Sequence, residues 1–105
     1  MAKLLWVSRH TATAEQIQAL KEIGFEDIYV SDVDAYMEER YIVDFIDQIG
    51  NVEGIFCVHP RIGGIAIKLG LVLVTVVSEN RAPIGEPPKF VFSRFQTIRP
   101  PHHFR

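Results

Sequence analysis

Short apolar runs alternate along the chain with segments whose apolar residues recur at helical spacing. Four runs rich in Val, Ile, Leu and aromatic residues predict β-strands, because strands in a buried sheet use those residues over about four to eight positions. The predicted strands cover residues 3–8, 27–31, 52–58 and 71–77. Residues 71–77 are apolar on both faces apart from Thr75, which is typical of a central parallel strand.

Three helices are predicted between these strands, over residues 14–23, 38–49 and 60–69. Thr13 and Gln16 have the spacing of a capping box, and Gly24 supplies the left-handed residue that ends a helix. Pro60 suits the first turn of the third helix, and Gly70 follows its end. The first two helices carry apolar stripes, formed by Ala14, Ile17, Leu20 and Ile23 and by Tyr41, Ile42, Phe45, Ile46 and Ile49.

The order of strands and helices predicts an α/β fold, a three-layer Rossmann-like sandwich with right-handed crossovers. The prolines within residues 82–88 forbid a regular helix, so residues 89–98 should form a fifth strand that pairs antiparallel. We therefore expect a mostly parallel sheet of four strands plus a C-terminal antiparallel strand. A chain of 105 residues is expected to form a single Rossmann-like domain over 1–105, with residues 99–105 as an extended tail.

Three clusters of reactive polar residues follow the predicted strands. They comprise Ser8, Arg9, His10 and Thr11; then His59, Arg61, Gly63 and Gly64; and finally Ser78, Asn80 and Arg81. Open α/β folds bind ligands at the carboxyl ends of their parallel strands, so the three clusters are expected to open onto one edge of the sheet.

The residue types in these clusters favour an anionic ligand. The arginines offer charged forks suited to phosphate or carboxylate, and histidine can move a proton near neutral pH. Structural alternatives remain open at each cluster. Ser8 and Thr11 could satisfy a turn, the paired glycines could allow close helix packing, and Ser78 and Asn80 could organise the turn before Pro83.

The charge distribution is uneven although the formal net charge is only −2. Residues 1–53 carry a net charge of −7 and residues 54–105 a net charge of +5. The overall charge argues against nonspecific duplex DNA binding, whereas the positive second half could attract a compact anion. No apolar run approaches the roughly 20 residues that span a bilayer, and the N-terminus lacks the pattern of a signal peptide. We expect no membrane partner and a cytoplasmic location.

Several classes of site are disfavoured by missing motifs. The chain has no Walker A, GxGxxG or GxSxG sequence and no zinc-ligand spacing, so neither a cofactor nor a metal is expected. Asp32 and Asp34 are better explained as an acidic loop than as magnesium ligands, and His102 and His103 as a solvent-exposed tail. The single cysteine, Cys57, lies in an apolar run and is interpreted as a buried structural thiol.

The opening residues 4–16, LLWVSRHTATAEQ, resemble the beginning of small CRISPR-associated ring nucleases, in which a strand ending in Ser/Thr-Arg-His or Ser-His precedes a Thr-x-Glu-Gln-type helix start. The progression from strand to glycine-containing turn, helix, Leu-Gly-Leu and strand over residues 55–76 is similar as well. Outside the first dozen residues the resemblance rests on the order of elements, and the family motif around the glycines is not reproduced.

The resemblance implies a Rossmann-like homodimer that binds cyclic oligoadenylate, the second messenger of type III CRISPR immunity, and cleaves it without metal. It carries over to Ser8, Arg9 and His10. On this hypothesis His10 is the acid or base, Arg9 and Arg61 stabilise charge, and Ser8 and Ser78 position the ligand. The remaining ligand-binding candidates are Thr11, His59, Gly63, Gly64, Asn80 and Arg81. Two alternatives remain: a noncatalytic nucleotide sensor or sponge, and an interaction protein that dimerises through its terminal strand.

Overall fold

A five-stranded sheet forms the centre of the computed structural model, which describes residues 2–31 and 38–100. The strands are β1 (Ala2–Trp6), β2 (Phe25–Val30), β3 (Val52–Phe56), β4 (Val72–Asn80) and β5 (Phe90–Ile98). Within the described residues the connecting helices are α1 (Ala14–Glu22), α2 (Glu39–Ile49) and α3 (Pro60–Lys68). The chain is therefore an α/β protein, as its alternating pattern predicts.

The sheet is mostly parallel and runs in the order β2-β1-β3-β4-β5. Strands β1 to β4 are parallel to their neighbours, and β5 pairs antiparallel with β4. The register places Trp6 beside Phe56 and Phe56 beside Val74. The predicted mostly parallel sheet with a C-terminal antiparallel strand is thus confirmed.

Alternate residues of the strands feed two separate cores, one on each face of the sheet. On one face, Leu5, Ile55 and Cys57 pack with Ile42 of α2 and Ile62 of α3. The other face is covered by α1 and is rich in aromatic residues. Its buried members are Leu4, Trp6, Leu20, Phe25, Phe56, Val74 and Phe95. The two cores give the three-layer, Rossmann-like architecture.

Gly54 lies in the middle of β3 because the neighbouring aromatic ring leaves no room for a side chain. A Cβ atom at this position would lie 2.6 Å from Cζ of Phe25 and 3.2 Å from Cδ1 of Leu4. Glycine in a strand interior is otherwise unfavourable, since it contributes no packing and loses much conformational freedom on folding. At Gly54 the missing side chain allows Phe25 to pack directly against the backbone of the central strand.

Two details of the helices differ from the sequence prediction. Only Leu20 is buried among the stripe residues of α1, and Ile17 and Ile23 each keep 36% of their surface exposed. In α2, Ile42 is buried, whereas Tyr41 is 46% exposed and lies beneath the guanidinium of Arg40. In both helices, therefore, fewer residues of the apolar stripe are buried than the sequence pattern predicts.

The fourth strand is longer than predicted. Pairing between β3 and β4 ends at Phe56 and Val74, but β4 continues to Asn80, paired only with β5. At about 3.3 Å per residue, Ser78 lies about 13 Å beyond the last β3–β4 pair. Residues 75–80 and their partners in β5 therefore form a hairpin arm that projects past the parallel part of the sheet.

Candidate functional site

The strand order creates a switch point between β1 and β3. These strands are neighbours, but β1 leads to α1 on one face of the sheet whereas β3 leads to α3 on the other. Such a divergence opens a crevice at the carboxyl ends of the two strands, the usual ligand site in open α/β sheets. The first two polar clusters of the sequence occupy this position.

A cavity of about 140 Å³ lies at the switch point. Ser8, Arg9 and His10 line it from the segment after β1, and His59 lines it from the segment after β3. The apolar part of the lining is formed by Val7, Val58 and Ile62. A cavity of this volume is large enough for one phosphate group.

The segment after β1 is fixed by a buried tryptophan. Trp6 is 1% exposed and stacks on Phe56 with ring centroids 3.9 Å apart. Its indole Nε1 donates a hydrogen bond of 2.8 Å to the carbonyl oxygen of His10, and the backbone N–H of His10 donates one of 3.1 Å to Oγ of Ser8. The backbone of His10 is therefore held from both sides, while its side chain lies at the surface.

Sequence reasoning did not assign this anchoring role to Trp6. A buried indole N–H needs a hydrogen-bond acceptor, and the end of a strand offers carbonyl groups that are free of the sheet ladder. A tryptophan two residues before a polar turn could therefore have indicated the contact. Ser8 has the turn-forming role that is the structural alternative to ligand binding, and it also lines the cavity.

His59 begins α3 as its N-terminal cap. Its Nδ1 accepts a hydrogen bond of 3.2 Å from the backbone N–H of Arg61, and Pro60 occupies the first helical turn. A neutral histidine whose Nδ1 is an acceptor carries its proton on Nε2. The contact through Nδ1 fixes the imidazole at the start of α3, where it lines the cavity.

Two further candidate residues, Arg61 and Thr11, lie beside the cavity without lining it. Arg61 is exposed in the first turn of α3, and Thr11 is exposed in the segment that leads to α1. The cap of α1 is formed by Thr13, whose hydroxyl accepts the N–H of Gln16 at 3.1 Å. Both helices begin at the carboxyl edge of the sheet, so their N-terminal dipoles favour negative charge at that edge.

The paired glycines of α3 have different surroundings. Gly63 is buried, and a Cβ atom there would lie 3.2 Å from Cδ2 of Leu73 in β4. Gly64 is exposed, and a Cβ atom there would meet nothing within 4 Å. Close packing of the helix on the sheet therefore accounts for Gly63 and does not account for Gly64.

The third polar cluster lies in the hairpin arm and does not line the switch-point cavity. Ser78 pairs with Phe92, and Oδ1 of Asn80 accepts the N–H groups of Ala82 and Lys89, each at 3.0 Å. Arg81 forms an ion pair of 3.3 Å with Glu79. The structure therefore brings together the first two clusters but not the third, whose hydrogen bonds organise the turn of the hairpin.

Cys57 lies beneath the second cluster at the end of β3. It is 2% exposed, which confirms the prediction of a buried thiol. Burial raises the pKa of the thiol to about 11, although its contact with the carbonyl oxygen of His59 acts in the opposite direction. Since the thiolate is the nucleophilic form, Cys57 is unreactive at neutral pH.

Across residues 2–31 and 38–100, no group of three His, Cys, Asp or Glu side chains could hold a metal ion. No helix within these ranges is long and apolar enough to cross a membrane. Asp32, Asp34, His102 and His103 lie outside the described residues.

Compared with known proteins, the chain matches no family model, no curated protein and no solved structure. The chemistry of the site therefore rests on its own residues. An arginine, two histidines and a serine meet in a cavity of phosphate-group size at the switch point.

Proposed function

We propose that the chain binds a cyclic oligoadenylate at the switch-point cavity and cleaves it as a metal-independent ring nuclease of type III CRISPR signalling. The observation that carries the proposal is the meeting of Ser8, Arg9 and His10 with His59 in a space for one phosphate group. The resemblance of the opening residues to ring nucleases supplies the ligand class. A cytoplasmic location, without duplex DNA or membrane as a partner, belongs to the same proposal.

The cleavage step uses the ligand's own nucleophile. His10 accepts the proton of a ribose 2′-hydroxyl, and the oxygen attacks the adjacent phosphorus while the bond from phosphorus to O5′ breaks. The resulting imidazolium of His10 returns its proton to O5′. The products are a 2′,3′-cyclic phosphate and a 5′-hydroxyl, and His10 is neutral again.

The other residues stabilise charge on the phosphoryl oxygens. Arg9 lines the cavity with a guanidinium that suits two phosphate oxygens, and Nε2 of His59 donates to the same group. Arg61 adds positive charge from the first turn of α3. Ser8 contributes by holding the backbone of His10 in place.

A homodimer is part of the proposal because the cavity is of phosphate-group size. A ring with several phosphates would require a second half-site, which a twofold partner supplies. Val30 at the end of β2 and Val58 after β3 are 57% and 66% exposed at the edge that carries the site. These apolar side chains support contact between two copies at this edge.

The decisive experiment incubates purified protein with labelled cyclic tetra-adenylate and cyclic hexa-adenylate in the presence of EDTA. We expect one of the rings to be converted to linear products that end in a 2′,3′-cyclic phosphate. His10→Ala should lower the rate by about 10²–10⁴-fold, the usual contribution of a general acid or base, without loss of circular dichroism. Sedimentation in the same buffer should give the mass of a dimer.

Three outcomes would redirect the proposal. Tight binding without turnover indicates the alternative function of a sensor or sponge. An unchanged rate in His10→Ala removes this histidine from the mechanism. If the protein neither binds nor cleaves either ring, the proposed ligand class is overturned. Gln18→Ala, which alters an exposed position of α1, serves as the matched control.

A further inference from the structure

A second and larger cavity adjoins the switch point on the face of the sheet that carries α3. It measures about 500 Å³ and runs as a groove between α3 and β4. Gly63, Gly64 and Ile67 line it from the helix, and Leu73 and Thr75 line it from the strand. The chain turns directly from β4 into the antiparallel β5 without an intervening helix, which leaves this part of the sheet open.

The groove lies beside the phosphate-sized cavity. Val58 and His59 line both spaces, so they form the wall between a polar compartment and an apolar one. The volume of the groove falls within the range of small-molecule sites, which combine an apolar lining with a few polar groups. In this groove His59 and Thr75 supply side-chain polar groups.

Gly64 leaves the surface of α3 open at the wall of the groove. Glycine weakens a helix, and no neighbouring atom of the protein requires it at this position. Its backbone is exposed as part of the groove wall. A flat ring could therefore lie directly against the helix at Gly64, where any side chain would hold it away.

We propose that the groove between α3 and β4 receives the adenine base of the nucleotide whose phosphate occupies the switch-point cavity. The proposal rests on the function proposed above and names the part of the ligand that this groove recognises. The base stacks on the surface formed by Gly64 and Ile67, and the hydroxyl of Thr75 contacts its polar edge. His59, which lines both spaces, lies between phosphate and base.

The test compares adenosine 5′-monophosphate with ribose 5-phosphate, which lacks the base. Each is titrated into isotope-labelled protein, and amide chemical shifts are followed by NMR. Both compounds should shift the amides of residues 8–11 and 59–61. Only adenosine 5′-monophosphate should also shift the amides of Gly63, Gly64 and Thr75.

A matched pair of variants tests the position of the base. Gly64→Leu fills the groove and should weaken binding of adenosine 5′-monophosphate by about tenfold or more, since an added side chain in an occupied space is poorly tolerated. Binding of ribose 5-phosphate should remain unchanged. Gln18→Leu places leucine at an exposed position of α1, on the opposite face of the sheet. It should alter the affinity neither for adenosine 5′-monophosphate nor for ribose 5-phosphate.

Failure of this proposal is distinct from failure of the proposed function. If adenosine 5′-monophosphate shifts only the two loops, or shifts nothing, the groove does not receive the base. If Gly64→Leu binds adenosine 5′-monophosphate as tightly as the parent chain, the same conclusion follows. Shifts in the groove together with no cleavage of either cyclic ring would support the base site and overturn the nuclease.

Discussion

Cys57 shows how one buried residue makes the stability of the whole chain depend on pH. Its thiol is protonated in the folded protein up to a pKa of about 11, compared with an ordinary value of 9.0. The unfolded chain therefore loses this proton at lower pH than the folded chain. Because the raised pKa favours the protonated fold, its contribution is complete below pH 9 and is lost as the pH rises through 11.

We expect the free energy of unfolding to be about 2 kcal/mol lower at pH 10.5 than at pH 8 through this group alone. Urea titrations at a series of pH values measure the dependence. Cys57→Ala serves as the reference, since tyrosines and lysines titrate in both proteins. If the two proteins show the same pH dependence, Cys57 does not contribute.

For single residues, some structural roles could be predicted from the sequence and others could not. A cysteine inside an apolar run predicts burial, and a polar group after a strand predicts a position at the sheet edge. The role of Gly54 depends on Phe25, a partner distant in the chain, so local sequence contains no record of it. The hydrogen bond from Trp6 to the carbonyl oxygen of His10 spans only four residues and could be inferred from the local sequence.

Helix α3 contains two consecutive glycines with different surroundings. A side chain at Gly63 would press against Leu73, whereas a side chain at Gly64 would meet open space. Gly63→Ala must displace Leu73, whereas Gly64→Ala meets no atom within 4 Å. Overpacking costs about 1–3 kcal/mol, and replacing a helical glycine with alanine stabilises by about 0.5–1 kcal/mol.

We therefore expect Gly64→Ala to raise the free energy of unfolding by about 0.5–1 kcal/mol and Gly63→Ala to give a less stable protein than Gly64→Ala, because Leu73 must shift by a few tenths of an ångström. Urea unfolding followed by circular dichroism measures both. The pair is internally controlled because the substitution and the helix are the same. Equal effects at the two positions would show that the contact with Leu73 does not distinguish them.

Element boundaries were predictable where the hydrophobic pattern and a cap coincide. The capping box at Thr13 correctly predicts the start of α1 at Ala14. The end of β4 was not predictable, because residues 78–80 are held by pairing with β5 and lack an apolar pattern of their own. Because β4 continues to Asn80, the third polar cluster lies in the hairpin arm and not at the switch-point cavity.

For the molecule as a whole, the strand order determines which predicted site residues meet. The alternation of strands and helices predicts the fold class, but the positions of Ser8 and His59 side by side require β1 and β3 to be neighbours. Several strand orders fit the same alternation. The sequence predicted that all three polar clusters would meet at one edge of the sheet, and the structure brings together the first two and not the third.

The hairpin of β4 and β5 also has a consequence for the route by which the chain folds. Strands β4 and β5 pair across the short connection 81–89, with no crossover helix between them. Pairing of β1 with β3 instead joins segments about fifty residues apart. Loop-closure entropy favours the nearer contacts, and isolated hairpins form within about 1–10 μs.

We expect the hairpin to be largely formed in the folding transition state and the β1–β3 contact to form later. Phe95→Leu, in β5, should give a φ-value of about 0.5 or more, and Leu5→Ala, in β1, a value below about 0.3. Stopped-flow folding and unfolding rates supply both values, and the reverse ranking would contradict this order. The phosphate-sized cavity at the junction of β1 and β3 would then be among the last parts of the molecule to exist during each folding event.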